Sequence, residues 1–427
     1  MQALHRRVVI ISVVVLLGLS LVAGCGGGGE SSPQAIVQPT DTPGSGQTPP
    51  PVDVVITIGN LTDLTGVSAN AQIIINDAME DLVNHYNDNN LIPGVELEIE
   101  TFDGQFDPSN DIPGYKWLRE RGADLLVSCV PPTPVSLKPV VDEDQFVMFV
   151  PAGNLDELMP PGYVFSLGIV PEHCGYTLAK WISENHWDYK AKGPAKIGGA
   201  AWTDTASMDF LDAVKDYAEM HPEQFEFEGA HLNNFSFVWG PEVEALKDCD
   251  YVFMPTPMHA FVKQYYQAGY ETTFIGADFQ AAFMEMIDKG DLWEEIDGAL
   301  FIRSSRWWSE EGPIIDLTRD LLFENHSSTE AEEYMRAGTG YLSLCQWYQM
   351  LEIIKDAVEA VGPQNFDSET LYNATVSYSE TIDGIELYSF DKNKRISPNY
   401  YLVQEARAAE GNLFRADPEW LPVLTGP

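Results

Sequence analysis

The chain has 427 residues, 44% of them hydrophobic, which is ample for a packed core and amounts to two or three domains' worth of length. Its 65 acidic residues against 24 basic ones give a formal net charge of −41, which weighs against nucleic acid or an anionic membrane surface as a direct partner. Such a charge fits solubility in a harsh or salty exterior, with recruitment of cationic ligands as the sharper alternative.

Arg6-Arg7 followed by the apolar run Val8 to Ala23 reads as a signal peptide over residues 1–24, too short to span a membrane comfortably. Its end, Leu21-Val22-Ala23-Gly24-Cys25, resembles a bacterial lipobox; the resemblance implies lipidation of Cys25 and a protein held at a membrane outside the cytoplasm. Residues 25–52 continue with four glycines and then Pro33, Pro39, Pro43, Pro49, Pro50 and Pro51, a composition that builds no core and serves as a tether.

From 53 onward short apolar runs alternate with helical stretches. Val54 to Ile58 is a buried strand. A polar loop follows, and from Ala71 the spacing of Ile74, Ala78, Leu82, Val83 and Tyr86 predicts a helix. Pro93-Gly94 turns the chain into a second strand, Val95 to Thr101, completing a βαβ unit. Further strands are expected at 124–130, 146–150, 163–168, 195–201, 251–254, 273–275 and 299–303. Helices are expected at 207–220, 258–268 and 341–361, the last stopped by Gly362-Pro363. The tail, 385–403, holds two short strands around Lys392-Asn393. This alternation predicts an α/β protein with parallel sheets flanked by helices.

Leu64-Thr65-Gly66, the helix ending at Asn87, and Asp103 to Pro108, taken in that order, resemble the opening of type I periplasmic solute-binding proteins, the Leu/Ile/Val-binding receptors of ABC importers. The resemblance runs from about Asp53 to Leu402. It implies two lobes joined by three crossovers near residues 169, 303 and 386. Lobe 1 would comprise 53–168 plus 303–385, and lobe 2 would comprise 169–302 plus 386–427. It also implies a ligand between the lobes, at loops that follow strands. The candidates are Thr65, Ser68, Asn70, Thr133, Gly153 and Asn154 from lobe 1, and Trp202, Thr205, Met258, Asp278 and Trp307 from lobe 2. The small residues that hold an amino acid's carboxylate and amine in this family fall at Pro131 and Asn154. Its aromatic positions fall at Ala71 and near Ala206 and Met258. Asp278 matches an acid that faces the ligand's ammonium.

No nucleophile elbow, zinc-protease helix, Walker A loop or Cys-x-x-Cys occurs, and the histidines are scattered, so neither an enzyme nor a metal or other cofactor is expected. Cys129, Cys174, Cys249 and Cys345 allow two disulfides or four buried thiols. Glu100, Asp103 and Asp107 form an acidic group better suited to capping and turns than to calcium. The reading is a lipid-anchored receptor that captures a small polar or amphipathic molecule and presents it to the membrane subunits of an ABC permease. A ligand sensor working through a partner protein is the alternative.

Overall fold

The computed structural model describes residues 54–427; the expected signal peptide, Cys25 and the tether lie outside them. Five strands build the first sheet: β1 (Val54–Thr62), β2 (Val95–Asp103), β3 (Leu125–Val127), β4 (Met148–Val150) and β5 (Val164–Ser166). All are parallel, in the order β2-β1-β3-β4-β5. Ile56 and Ile58 are fully buried, as a strand covered on both faces requires. The first helix, Ala69–Asp88, turns Ala78, Met79, Leu82, Val83 and Tyr86 inward on one helical stripe. It begins two residues before Ala71, with Ser68 at its N-cap.

The second sheet comprises β6 (Ala195–Trp202), β7 (Phe225–Asn233), β8 (Tyr251–Phe253), β9 (Thr273–Ala277) and β10 (Leu300–Arg303). A separate hairpin is made by β11 (Ser379–Ile382) and β12 (Ile385–Ser389), and the C-terminal strands are β13 (Tyr400–Arg407), β14 (Asn412–Arg415) and β15 (Leu421–Pro422). The second sheet runs β14-β13-β10-β9-β8-β6-β7, parallel except for β13 and β14, while β15 pairs with β13. Two α/β lobes result, with helices packed on their sheets.

The chain leaves the first sheet after Ser166, returns after Arg303 to the first lobe as helices, and joins the second sheet again only at Tyr400. Strand β12 does not enter that sheet, and a bridge from Ser166 to Ile396 keeps the following segment beside β5. The third crossover therefore lies after Ile396 and before Tyr400, later than the expected point near 386. The turn at Lys392-Asn393 is present, its amides donating to Asp391, but the strands on either side of it go to different sheets.

All four cysteines among the described residues are free thiols. Asp103 accepts from the amides of Leu64 and Gln105 and from the Thr65 hydroxyl, Asp107 caps a short 3-10 turn, and Glu100 pairs with Arg121. Among the described residues no group of acids, histidines and cysteines is placed to hold a metal, and no helix is long and apolar enough to cross a membrane.

Candidate functional site

The carboxyl ends of the parallel strands in the two sheets face each other, and the space between them holds two adjoining cavities. One, of about 180 Å³, is walled by Ile75, Pro151, Ala152, Thr339, Leu342, Ser343 and Gln346 from the first lobe. Asp278, Phe279, Ala282 and Arg303 close it from the second lobe, with Ile169 and Ser305 from the crossovers. The other, of about 150 Å³, is lined mainly by apolar groups, among them Val130, Pro131, Pro134, Pro171, Ala206 and Phe279, with Ser128, Asn154 and Glu157 as its polar members. Pro151, Ala152, Ile169 and Phe279 border both, so the two form one cleft with a charged end and an apolar end.

The charged end rests on Arg303, the last residue of β10. Only 1% of it is exposed, and its Nη2 lies 3.1 Å from Asp278 Oδ1. Its Nη2 also donates to Ser305 Oγ at 3.1 Å, and its guanidinium carbon sits 4.6 Å from the Trp307 ring centre. Burial pushes the Asp278 carboxyl up and the Arg303 guanidinium down, outweighing their mutual attraction. The guanidinium nonetheless stays charged. Arg303 Nη1 and Ser343 Oγ are both buried without a hydrogen-bond partner in the protein. A buried donor left unpaired costs about 1–3 kcal/mol, so these two, on side chains that line the cavity, favour an incoming acceptor, while Asp278 Oδ1, likewise without a hydrogen-bond partner, favours an incoming donor.

At the apolar end the lobes touch through Asn154, whose Nδ2 donates to Asp209 at the start of the helix Thr205–Met220. Glu157 and Glu172 flank this contact. Burial, together with the nearby Asp209 carboxylate, pushes each of them up to about 7.

Of the sequence-predicted residues, Gly153, Asn154 and Asp278 border the cleft. Thr65, Ser68 and Asn70 border neither cavity. Thr65 donates to Asp103, and the amide and hydroxyl of Ser68 both donate to Asp63, so the first loop spends its polar groups on its own shape. Thr133 is fully buried with its hydroxyl donated to Asp111 Oδ1 at 3.0 Å, which turns it away from the cleft. Met258 is fully buried in the core. Trp202 packs on Phe235 and Phe237 and donates to the Ser236 carbonyl. Thr205 is exposed at the start of its helix and borders neither cavity. Trp307 donates to Asn412 and faces a different cavity.

Sequence reasoning passed over Arg303, Ser343, Gln346 and Phe279. Arg303 carried a readable signal: one of few basic residues, closing the apolar run Leu300-Phe301-Ile302 where sheet ligands bind. Ser343 and Gln346 had none, because they reach the cleft from the helical layer around residues 341–361.

No curated protein matched the sequence. Solved structures share the fold at low identity. A branched-chain amino acid ABC transporter protein from Thermus thermophilus with bound valine has a TM-score of 0.73 at 16% identity, covering 87% of this chain and 97% of its own. A solute-binding protein from Rhodopseudomonas palustris HaA2 in complex with p-hydroxybenzoic acid has a TM-score of 0.70 at 15% identity, covering 86% and 97%. A fatty acid ABC transporter substrate-binding protein from Thermomonospora curvata has a TM-score of 0.69 at 16% identity, covering 88% and 95%. The family described as "Periplasmic binding protein" matches residues 55–410. On that match the chain belongs to the periplasmic binding protein family, which implies an extracytoplasmic binding role rather than an enzyme.

Proposed function

We propose that this protein captures a small amphipathic carboxylate, an amino acid or a related acid, and delivers it to the membrane subunits of an ABC importer while a lipid on Cys25 holds it at the bilayer. The observation that carries the ligand class is that Arg303, with its unpaired Nη1, and Ser343, with its unpaired hydroxyl, line the same cavity. A carboxylate accepts from both, and Asp278 offers a counter-charge to an ammonium on the same molecule. The apolar end of the cleft takes the remainder of the ligand. The bound valine and p-hydroxybenzoic acid of the structural relatives are likewise carboxylic acids, as are fatty acids. Support for the anchor comes from Leu21 to Cys25 and the glycine- and proline-rich stretch behind it.

A thermal-shift screen of amino acids, aromatic acids and short fatty acids, each beside its amide, tests the ligand class. A ligand at one hundred times its Kd adds about 2.7 kcal/mol of stability. Acids should raise the melting point and their neutral amides should not. Arg303→Lys keeps the charge that Asp278 needs but loses the planar fork, and should weaken acids by about 1.5–3 kcal/mol. Amides binding as well as acids would refute the assignment. For the anchor, Cys25→Ser should move the protein from the membrane to a soluble exported fraction; unchanged membrane association would refute it.

A further inference from the structure

A second cavity, of about 220 Å³, shares no lining residue with the cleft. The helix Met284–Gly290 of the second lobe forms one wall. The helix Ser328–Ala337 forms another, and it is tied to the first lobe by Tyr334, whose hydroxyl donates to Asp77. The crossover residues Trp307 and Trp308 lie between them, with Trp293 beside.

Each indole nitrogen here already has an acceptor: Asp288 at 3.3 Å for Trp293, Asn412 at 2.6 Å for Trp307, and the Gly338 carbonyl at 3.0 Å for Trp308. With those nitrogens paired the three indoles present carbon surface and no free N–H donor, and one face of Trp307 already takes the Arg303 guanidinium. Met284 and Met335 add polarisable apolar surface. The charged members are Asp288, Glu332 and Arg336, all exposed. Arg336 lies 3.8 Å from Glu332 and offsets it, which leaves the lining net negative. An anion finds donors only at Arg336, which Glu332 already offsets, and at the Asn412 amide, against a net negative lining. A cation clothed in methyl groups finds indole surface, which attracts cations through its quadrupole, and a negative rim. The overall charge of −41 concentrates cations around the protein in any case. The volume, below the roughly 300–1,000 Å³ of drug-sized sites, sets a small occupant.

We propose that this cavity is a second binding site, for a small organic cation of the quaternary-ammonium class, bridging the two lobes apart from the solute cleft.

Choline is the probe, and 3,3-dimethylbutanol, which has the same shape without the charge, is the control. Calorimetry on the chain lacking its signal peptide should show choline binding in the millimolar range or tighter, with the neutral alcohol at least about tenfold weaker. Asp288→Asn combined with Glu332→Gln changes only exposed side chains and should weaken choline about tenfold. Asp278→Asn, in the cleft, should weaken choline less than the rim variant does, its charge reaching this cavity only through Arg303 on Trp307. Absence of binding at millimolar choline overturns the proposal. So does equal binding of the alcohol, or a loss on Asp278→Asn in place of the rim variant, which would put the cation in the cleft.

Discussion

Asp278→Asn separates two kinds of ligand by the sign of its effect. Asp278 Oδ1 and Arg303 Nη2 are 3.1 Å apart, and at an effective dielectric constant of about 20 their attraction is about 5 kcal/mol. A ligand carboxylate on the free side of Arg303 competes with that attraction. At roughly 5 Å from the Asp278 carboxylate it also meets a repulsion of about 3 kcal/mol on the same scale. The substitution preserves size and an acceptor for the Ser304 amide, which now donates to Oδ2 at 3.4 Å, and removes the charge. Discounted for residual water, a monoacid without an amine should bind about 1–3 kcal/mol more tightly, or about 5- to 150-fold. An α-amino acid should lose the partner of its ammonium, a loss of about 2–5 kcal/mol before the relief at Arg303 is credited, and should bind more weakly. Isovalerate and valine differ only by the amine and form a suitable pair for calorimetry, with circular dichroism to confirm the fold. A shift of the same sign for both molecules, or none for either, would refute the placement of the carboxylate at Arg303.

Three further predictions concern the frame around the cleft. Glu157 and Glu172 are raised to about 7 from an ordinary 4.5 by burial and the neighbouring Asp209. Their contribution to the lobed arrangement is fully present below about pH 4.5 and lost as the pH rises through about 7, so melting points measured across that range should fall less steeply with rising pH in a Glu157→Gln, Glu172→Gln variant; identical slopes would count against it. Gly338 has φ 111°, and a Cβ there would lie 2.1 Å from the Ala281 carbonyl oxygen. Gly338→Ala should therefore cost at least about 1–3 kcal/mol in denaturant unfolding, and stability equal to the parent would show that this approach is not tight. Burial pushes all four thiols up, Cys345 to about 11 and Cys249 to about 12. A disulfide-exchange reagent should thus label none of Cys174, Cys249 and Cys345 quickly in the native protein, with half-buried Cys129 at the cleft wall reacting first, and a reductant should leave the melting point unchanged; rapid labelling of any of the three would contradict its burial.

Local pattern was enough for the frame because a buried parallel strand and an amphipathic helix each announce themselves within a few residues. The run Val54 to Ile58 and the stripe through Ala78, Leu82 and Tyr86 are cases in point. The edge strand β7, Phe225–Asn233, escaped notice because half-exposed residues, glutamates included, break up its apolar signal.

The cleft is a different matter, since its chemistry comes from side chains far apart in the chain. Loop position pointed to Gly153, Asn154 and Asp278, which border the cleft. It could not say which way a hydroxyl points: Thr133 and Ser68 follow strands as expected, yet Asp111 and Asp63 claim their side chains. Nor could it anticipate that Arg303, from the end of β10, would be sealed beside Ser343, from the turn before a helix, with one donor on each left unpaired. The sequence by itself determined the class of fold, because hydrophobic periodicity is a local property. Only the tertiary structure decided which polar atoms remain unspent, because that depends on every neighbour folding brings against them.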